Sequence, residues 1–156
     1  MQKELNKEQI ISILQKYSPT KDNILKCLHE LQDAHPQNYI SKVILEETAK
    51  HFKLTKGQIF GIVSYYSMFS LKPRGRYLVR LCKSPVCNML GAKSVTEYFD
   101  SKFNLKPGET TTDGMFTLEL AECLGRCGKG PSMMINREVV TELDSKKIDE
   151  IINTKK

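Results

Sequence analysis

Apolar positions in the first half of the chain recur at helical spacing. Asn6 with Gln9 three residues later has the form of a capping box, and Ile10, Ile13 and Leu14 follow on one face. Thr20 opens a second segment, in which Ile24, Leu28 and Leu31 are spaced by four and three, with Pro36 just past its end. Ser41 is placed to cap a third helix carrying Leu45, Ala49 and Phe52 at i, i+4 and i+7. Thr55 and Gln58 form another capping box, ahead of Ile59, Ile62, Val63 and Tyr66 at i, i+3, i+4 and i+7. Four short amphipathic helices with brief connections predict a small helical bundle over residues 1–72.

The pattern changes at LKPRGRYLVRLC, where Pro73 and Gly75 punctuate the chain. Tyr77–Leu81 reads as a strand running into Cys82, and Gly91–Phe103 as a helix with Val95, Tyr98 and Phe99 inward. Met115–Ala121 alternates as a strand and runs on to Cys123. Ser132–Ile135 and Glu138–Thr141 read as two strands about an Asn136-Arg137 turn. A last helix with Ile148, Ile151 and Ile152 is capped by Asp144 or Ser145. The order strand, helix, strand, strand, strand, helix predicts an α/β layer over residues 73–156, so the chain as a whole is α+β.

Composition adds exclusions. No run of 18 apolar residues exists to span a membrane, and the first residues lack the apolar core of a signal peptide. These features give the expectation of a cytoplasmic protein of a prokaryote, or of a mature organellar one. The net charge of +6 is spread without a run of five like charges, and neither zinc-finger spacing nor an aromatic–basic RNA motif accompanies it. Nucleic acid is therefore not an expected partner. No Gly-rich dinucleotide fingerprint and no acid–base or nucleophile arrangement appears, so no independent catalytic residues are assigned.

The chemistry lies in the cysteines. Cys82 and Cys87 have four residues between them, and Cys123 and Cys127 have three, in the stretch ECLGRCGKGP. Both pairs fall in loops leaving predicted strand ends. In a reducing compartment such clusters bind metal or do redox chemistry more often than they form structural disulfides. Three chemistries compete. Zinc takes four thiolates in a tetrahedron, with two to four residues between paired ligands in its knuckles. Thiol–disulfide exchange favours Cys-x-x-Cys at a helix N-terminus, a spacing neither pair has. An iron–sulfur cluster also takes four thiolates, and its two irons let each pair serve a separate metal. Gly125, Gly128 and Gly130 about the second pair, and Gly91 after the first, favour the cluster, because close backbone N–H donors suit its sulfurs. Cys27, beside Ile24 and Leu28, reads as a core thiol; His29, His35 and His51 lack ligand spacing; and Met133-Met134 reads as core. Arg126, between the two cysteines of one pair, reads either as a solvated side chain or as a cation that favours reduction of a cluster. The rival reading is a zinc-stabilised basic binding module.

The ordered motif C-x4-C then DGMFTLELAECLGRCGKGPSMMIN resembles the thioredoxin-like [2Fe–2S] ferredoxin family. That family includes the small subunits of complex I (NADH:quinone oxidoreductase), of NAD-linked electron-bifurcating [FeFe]-hydrogenases and of NAD-dependent formate dehydrogenases. The stretch ILKCLHELQDAHPQNYISKVILEETAKHFKLTKGQIFGIVSYYSMF is similar to its N-terminal helical domain, with Tyr65-Tyr66 in place of an aromatic "FY" element. The resemblance implies a thioredoxin-like fold for about residues 76–156 and one [2Fe–2S] cluster, with Cys82 and Cys87 on one iron and Cys123 and Cys127 on the other. It implies one-electron transfer beside a larger subunit that binds FMN and NAD, with further subunits in the complex. Two departures bear on sulfur hydrogen bonding: Lys83-Ser84-Pro85 where many members have Gly-Thr, and Gly130-Pro131 where many have Ala-Pro. Pro131 is expected in the cis form found before a strand in such folds. Lys outnumbers Arg, and Asn and Ile are frequent, which points toward the hydrogenase of an A/T-rich anaerobe.

Overall fold

The computed structural model describes residues 4–155. They form two compact units that separate between Arg74 and Gly75.

The first unit holds four helices: α1 (Lys7–Leu14), α2 (Ile24–Ala34), α3 (Lys42–His51) and α4 (Lys56–Tyr65). Caps set most of the boundaries. Asn6 and Gln9 close a reciprocal capping box on α1, as Thr55 and Gln58 do on α4, and Ser41 Oγ accepts from the Ile44 N–H at the start of α3. Thr20 makes no capping hydrogen bond; a 3-10 turn, Lys21–Asn23, intervenes before α2. One core gathers Ile10, Leu14, Leu28, Leu31, Ile44 and Ile59 from all four helices, with Cys27 fully buried among them. Tyr66 departs from its expected inward position. It is the C-cap of α4, where the backbone turns extended and carries the ring to the surface.

The second unit is a two-layer α/β structure. Strands β1 (Tyr77–Cys82), β2 (Phe116–Ala121), β3 (Met133–Ile135) and β4 (Glu138–Val140) form one sheet in the order β2-β1-β3-β4. β1 and β2 run parallel; β3 is antiparallel to β1 and to β4. The parallel pair requires a crossover, supplied by α5 (Pro85–Met89) and α6 (Ala92–Phe103). Helix α7 (Ser145–Thr154) ends the unit, with Asp144 accepting from the Lys147 N–H. Val79, Leu81, Phe116, Leu118, Met133 and Ile135 line one sheet face and pack against Val95 and Phe99 of α6 and Ile148 and Ile152 of α7. Burying a residue of this size contributes about 1.5–3 kcal/mol, so this layer dominates the stability of the unit. Tyr98 donates to Asp149 and ties α6 to α7. The sequence pattern contains no sign of α5, whose five residues are too few for a periodic stripe. Its start is nonetheless chemically marked, with Ser84 at the N-cap and Pro85 at the first helical position. No helix among the described residues is long and apolar enough to cross a membrane.

Candidate metal centre

The strand register brings the two cysteine loops together. Cys82 is the last residue of β1 and pairs with Ala121, the last of β2. The ladder runs one step further, with Lys83 N–H donating to Ala121 O at 2.9 Å. Two parallel neighbours therefore deliver their loops to the same sheet end. Cys87 arrives from the other side of its loop on α5.

The four thiols come as two pairs in different surroundings. Cys82 and Cys87 are buried, packed with Ala92 and Leu124. Cys123 is exposed and Cys127 half-buried, with sulfurs 3.3 Å apart. Gly125, at φ +74°, turns its N–H to within 3.4 Å of Cys123 Sγ; that conformation is open to glycine and costly for other residues. At Gly130 a Cβ would come within 2.8 Å of the Leu90 side chain and 3.4 Å of Cys87 Sγ, so the backbone runs close against the buried pair. The Gly130–Pro131 bond is cis, as expected.

Electrostatics differ between the pairs. Burial pushes the Cys82 thiol up, but the Ser84 hydroxyl, the Ser84 and Leu124 amides and the Cys87 thiol outweigh it and lower Cys82 to about 7. Cys127 is pushed up by its hydrogen bond to Cys123 and by the charge of that sulfur, then by burial and by Cys87 and Cys82. The charges of Cys82 and Cys87 thus reach Cys127 on the second loop, and a bound metal group would offset such repulsion between sulfurs. Cys27 is remote from them in character: burial, then Glu30, push it up to about 12.

This donor set fits a two-metal group. Four thiols in two pairs, with the Gly125 amide donating to Cys123 Sγ and the Ser84 and Ser132 hydroxyls within reach of Cys82 and Cys87, suit a cluster whose two irons each take one pair. Of the other residues singled out by sequence, Arg126 is exposed between Cys123 and Cys127. His35 is buried in the helical unit; His29 packs on Phe69 and His51 on Phe52. Met133 is core and Met134 half-buried. The sequence pattern did not single out the hydroxyls of Ser84 and Ser132, whose oxygens lie 3.3 Å from Cys82 Sγ and 3.7 Å from Cys87 Sγ.

Comparison with known proteins decides the family. The family model of the thioredoxin-like [2Fe–2S] ferredoxins matches residues 10–156. The chain belongs to the thioredoxin-like [2Fe–2S] ferredoxin family. Among its curated relatives, an NADH-quinone oxidoreductase subunit of Aquifex aeolicus is 32% identical over 138 residues, 88% of this chain and 85% of that protein. The corresponding NADH-quinone oxidoreductase subunit of Escherichia coli K12 is 40% identical over 92 residues, but the match takes in only 59% of this chain and 55% of the relative. The NADP-reducing hydrogenase subunit HndA of Solidesulfovibrio fructosivorans is 23% identical over 144 residues, 92% of this chain and 83% of that one. Among solved structures, an air-oxidized NAD+-reducing [NiFe]-hydrogenase superposes with a TM-score of 0.76 at 24% identity. The match covers 91% of this ferredoxin-family chain but only 24% of the hydrogenase chain, and shows likeness of fold.

Proposed function

We propose that this ferredoxin-family chain is the [2Fe–2S] electron-transfer subunit of a multisubunit NAD(H)-linked flavoenzyme, of the hydrogenase or complex I type. Cys82 and Cys87 hold one iron, and Cys123 and Cys127 the other. The observation that carries this reading is the convergence of four thiols, in two pairs, at the common end of the parallel strands β1 and β2. A [2Fe–2S] cluster supplies one-electron transfer. The chain's own residues do the rest. The buried pair excludes water from one side, the exposed Cys123 opens the other to a partner, and the Gly125 amide donates toward sulfur.

A one-electron cluster cannot take a hydride, so this reading assigns FMN and NAD to a larger partner subunit. The helical unit exposes Phe60, Tyr65, Tyr66 and Met68, an apolar surface suited to docking that partner. The protein works in the cytoplasm, without direct membrane insertion or nucleic acid. The rival reading, a zinc-stabilised basic module, asks four ligands to enclose one ion, whereas the four thiols here fall into a buried pair and a more exposed one.

The test is spectroscopic. Anaerobically purified protein should be brown-red, carry two irons and two sulfides per chain, bleach with dithionite and then give an EPR signal. A colourless protein with one zinc per chain overturns the reading.

A further inference from the structure

Two buried serines embrace the first thiol pair. Ser84 follows Cys82 by two residues and caps α5, the helix that carries Cys87. Serine is favoured at an N-cap because its hydroxyl accepts a helix N–H, yet Ser84 makes no such bond. Its oxygen lies 3.3 Å from Cys82 Sγ, while its carbonyl accepts from the Asn88 N–H at 2.9 Å. Ser132, at the entry to β3, is wholly buried. Its hydroxyl lies 3.7 Å from Cys87 Sγ, and its carbonyl accepts from the Cys82 N–H at 3.0 Å. Ser132 therefore meets both cysteines, Cys82 through its carbonyl and Cys87 through its hydroxyl, while Ser84 meets Cys82 through its hydroxyl and the helix that carries Cys87 through its carbonyl.

The direction of these hydrogen bonds depends on the state of the sulfur. A thiol can donate to a serine oxygen, as Cys82 does here. A thiolate has only lone pairs, so once a metal takes the proton's place the hydroxyl is the sole possible donor. Both hydroxyls are buried, where a hydrogen bond to a charged acceptor is stronger than in water. The exposed pair lacks that advantage, since solvent screens Cys123 whatever the protein supplies.

We infer that Ser84 and Ser132 are tuning residues: their hydroxyls donate to the thiolates of Cys82 and Cys87 and raise the reduction potential of the cluster. This rests on the proposed cluster reading. Reduction adds one negative charge to a centre that already carries roughly −2, so a fixed donor favours the reduced form more than the oxidised one. The family's sulfur-bound cluster supplies the redox couple; the two hydroxyls shift it.

The experiment is an EPR-monitored redox titration of the purified full-length chain, with dithionite as reductant. Wild type, Ser84→Ala, Ser132→Ala, the double variant and Ser84→Thr are compared. Ser84→Ala removes no helix cap, and each alanine deletes a single oxygen. Each alanine is expected to lower the midpoint potential. The double variant should lower the equilibrium constant for reduction about tenfold, which for one electron is 59 mV. Ser84→Thr, which keeps the hydroxyl, should titrate with the wild type. A double variant with full iron and sulfide and an unmoved potential overturns the inference. So does loss of the cluster from both alanine variants, which would make the serines a scaffold. A wild-type chain that holds no iron at all overturns the cluster reading instead.

Discussion

Cys82 closes β1 directly opposite Ala121 of β2, two residues ahead of Cys123. That single register contact fixes the separation of the two cysteine loops, because a parallel ladder delivers both strand ends to one side of the sheet.

The proposed ligand set makes a clean genetic prediction. Serine at Cys82, Cys87, Cys123 or Cys127 should lose the cluster or leave it labile, read as iron and sulfide per chain. Cys27→Ser should keep it. The Cys27 side chain is fully buried in the helical core, so a hydroxyl there costs about 1–3 kcal/mol unless it finds a partner. Full iron content after changing Cys123 would remove that residue from the set.

Two glycines should respond oppositely to alanine. A Cβ at Gly75 would stand 2.8 Å from the backbone C and N of Phe116, a strand that cannot yield without disturbing its ladder. Gly75→Ala should destabilise the second unit by about 1–3 kcal/mol. Gly61 lies inside α4 with nothing within 4 Å of the added carbon. Gly61→Ala should stabilise by up to about 1 kcal/mol, as glycine is a poor helix former. Urea midpoints of the two variants should therefore move apart from that of wild type.

His35 gives a pH dependence. Its Nδ1 accepts the Gln37 N–H at 3.1 Å, its ring meets Tyr39 edge-on, and its Nε2 is buried without a partner. Burial lowers its pKa, with Glu4 opposing. The unfolded chain then binds the proton more readily than the folded one. Stability should be full above about pH 6.5, the ordinary histidine value, and fall as pH drops from there toward the lowered folded value. His35→Asn, which keeps an acceptor for Gln37, should flatten this limb ahead of the carboxylate titrations below about pH 5. An unchanged slope of urea midpoint against pH would mean that protonated His35 is tolerated in place.

The exposed Arg126 should act on the cluster only weakly. At a separation of roughly 8 Å with water between, a unit charge contributes about a twofold change in the reduction equilibrium. Arg126→Gln should lower the midpoint potential at low ionic strength, and the difference should vanish by about 1 M salt, where the Debye length is about 3 Å. A difference that persists at high salt would place the guanidinium closer to sulfur than its exposure suggests.

Much of this was legible in the sequence because local signals agreed with the fold. The Asn6–Gln9 and Thr55–Gln58 boxes marked helix starts that formed as written, and the alternation of Met115–Ala121 gave β2 to within a residue. Tyr66 misled because i, i+7 spacing says nothing about where a helix ends; α4 stops one residue short of it. Helix α5 escaped because one and a half turns carry no periodicity. The cysteine motif was visible, but its asymmetry was not. Burial of Cys82 and Cys87, exposure of Cys123 and the approach of Ser132 to Cys87 all depend on strand register across some forty residues, which no local window contains.

The last prediction concerns dependence on a partner. A hydride carries two electrons together, and a one-electron centre cannot accept it. The chain offers four thiols at the end of β1 and β2, and its sequence has no dinucleotide fingerprint for a nicotinamide or a flavin. The proposed role therefore calls for a flavin on another subunit, since flavins exchange hydrides on one side and single electrons on the other. The helical unit, with its own core and its exposed Phe60, Tyr65 and Tyr66, is the proposed docking element for that subunit. The isolated chain should therefore bleach with dithionite and stay coloured with NADH. Adding the flavin subunit should allow NADH to bleach it. Replacing Phe60 and Tyr65 together by serine should weaken the association while iron content and the dithionite-reduced EPR signal stay unchanged. Rapid bleaching of the flavin-free chain by NADH alone would show that hydride chemistry resides in this chain after all.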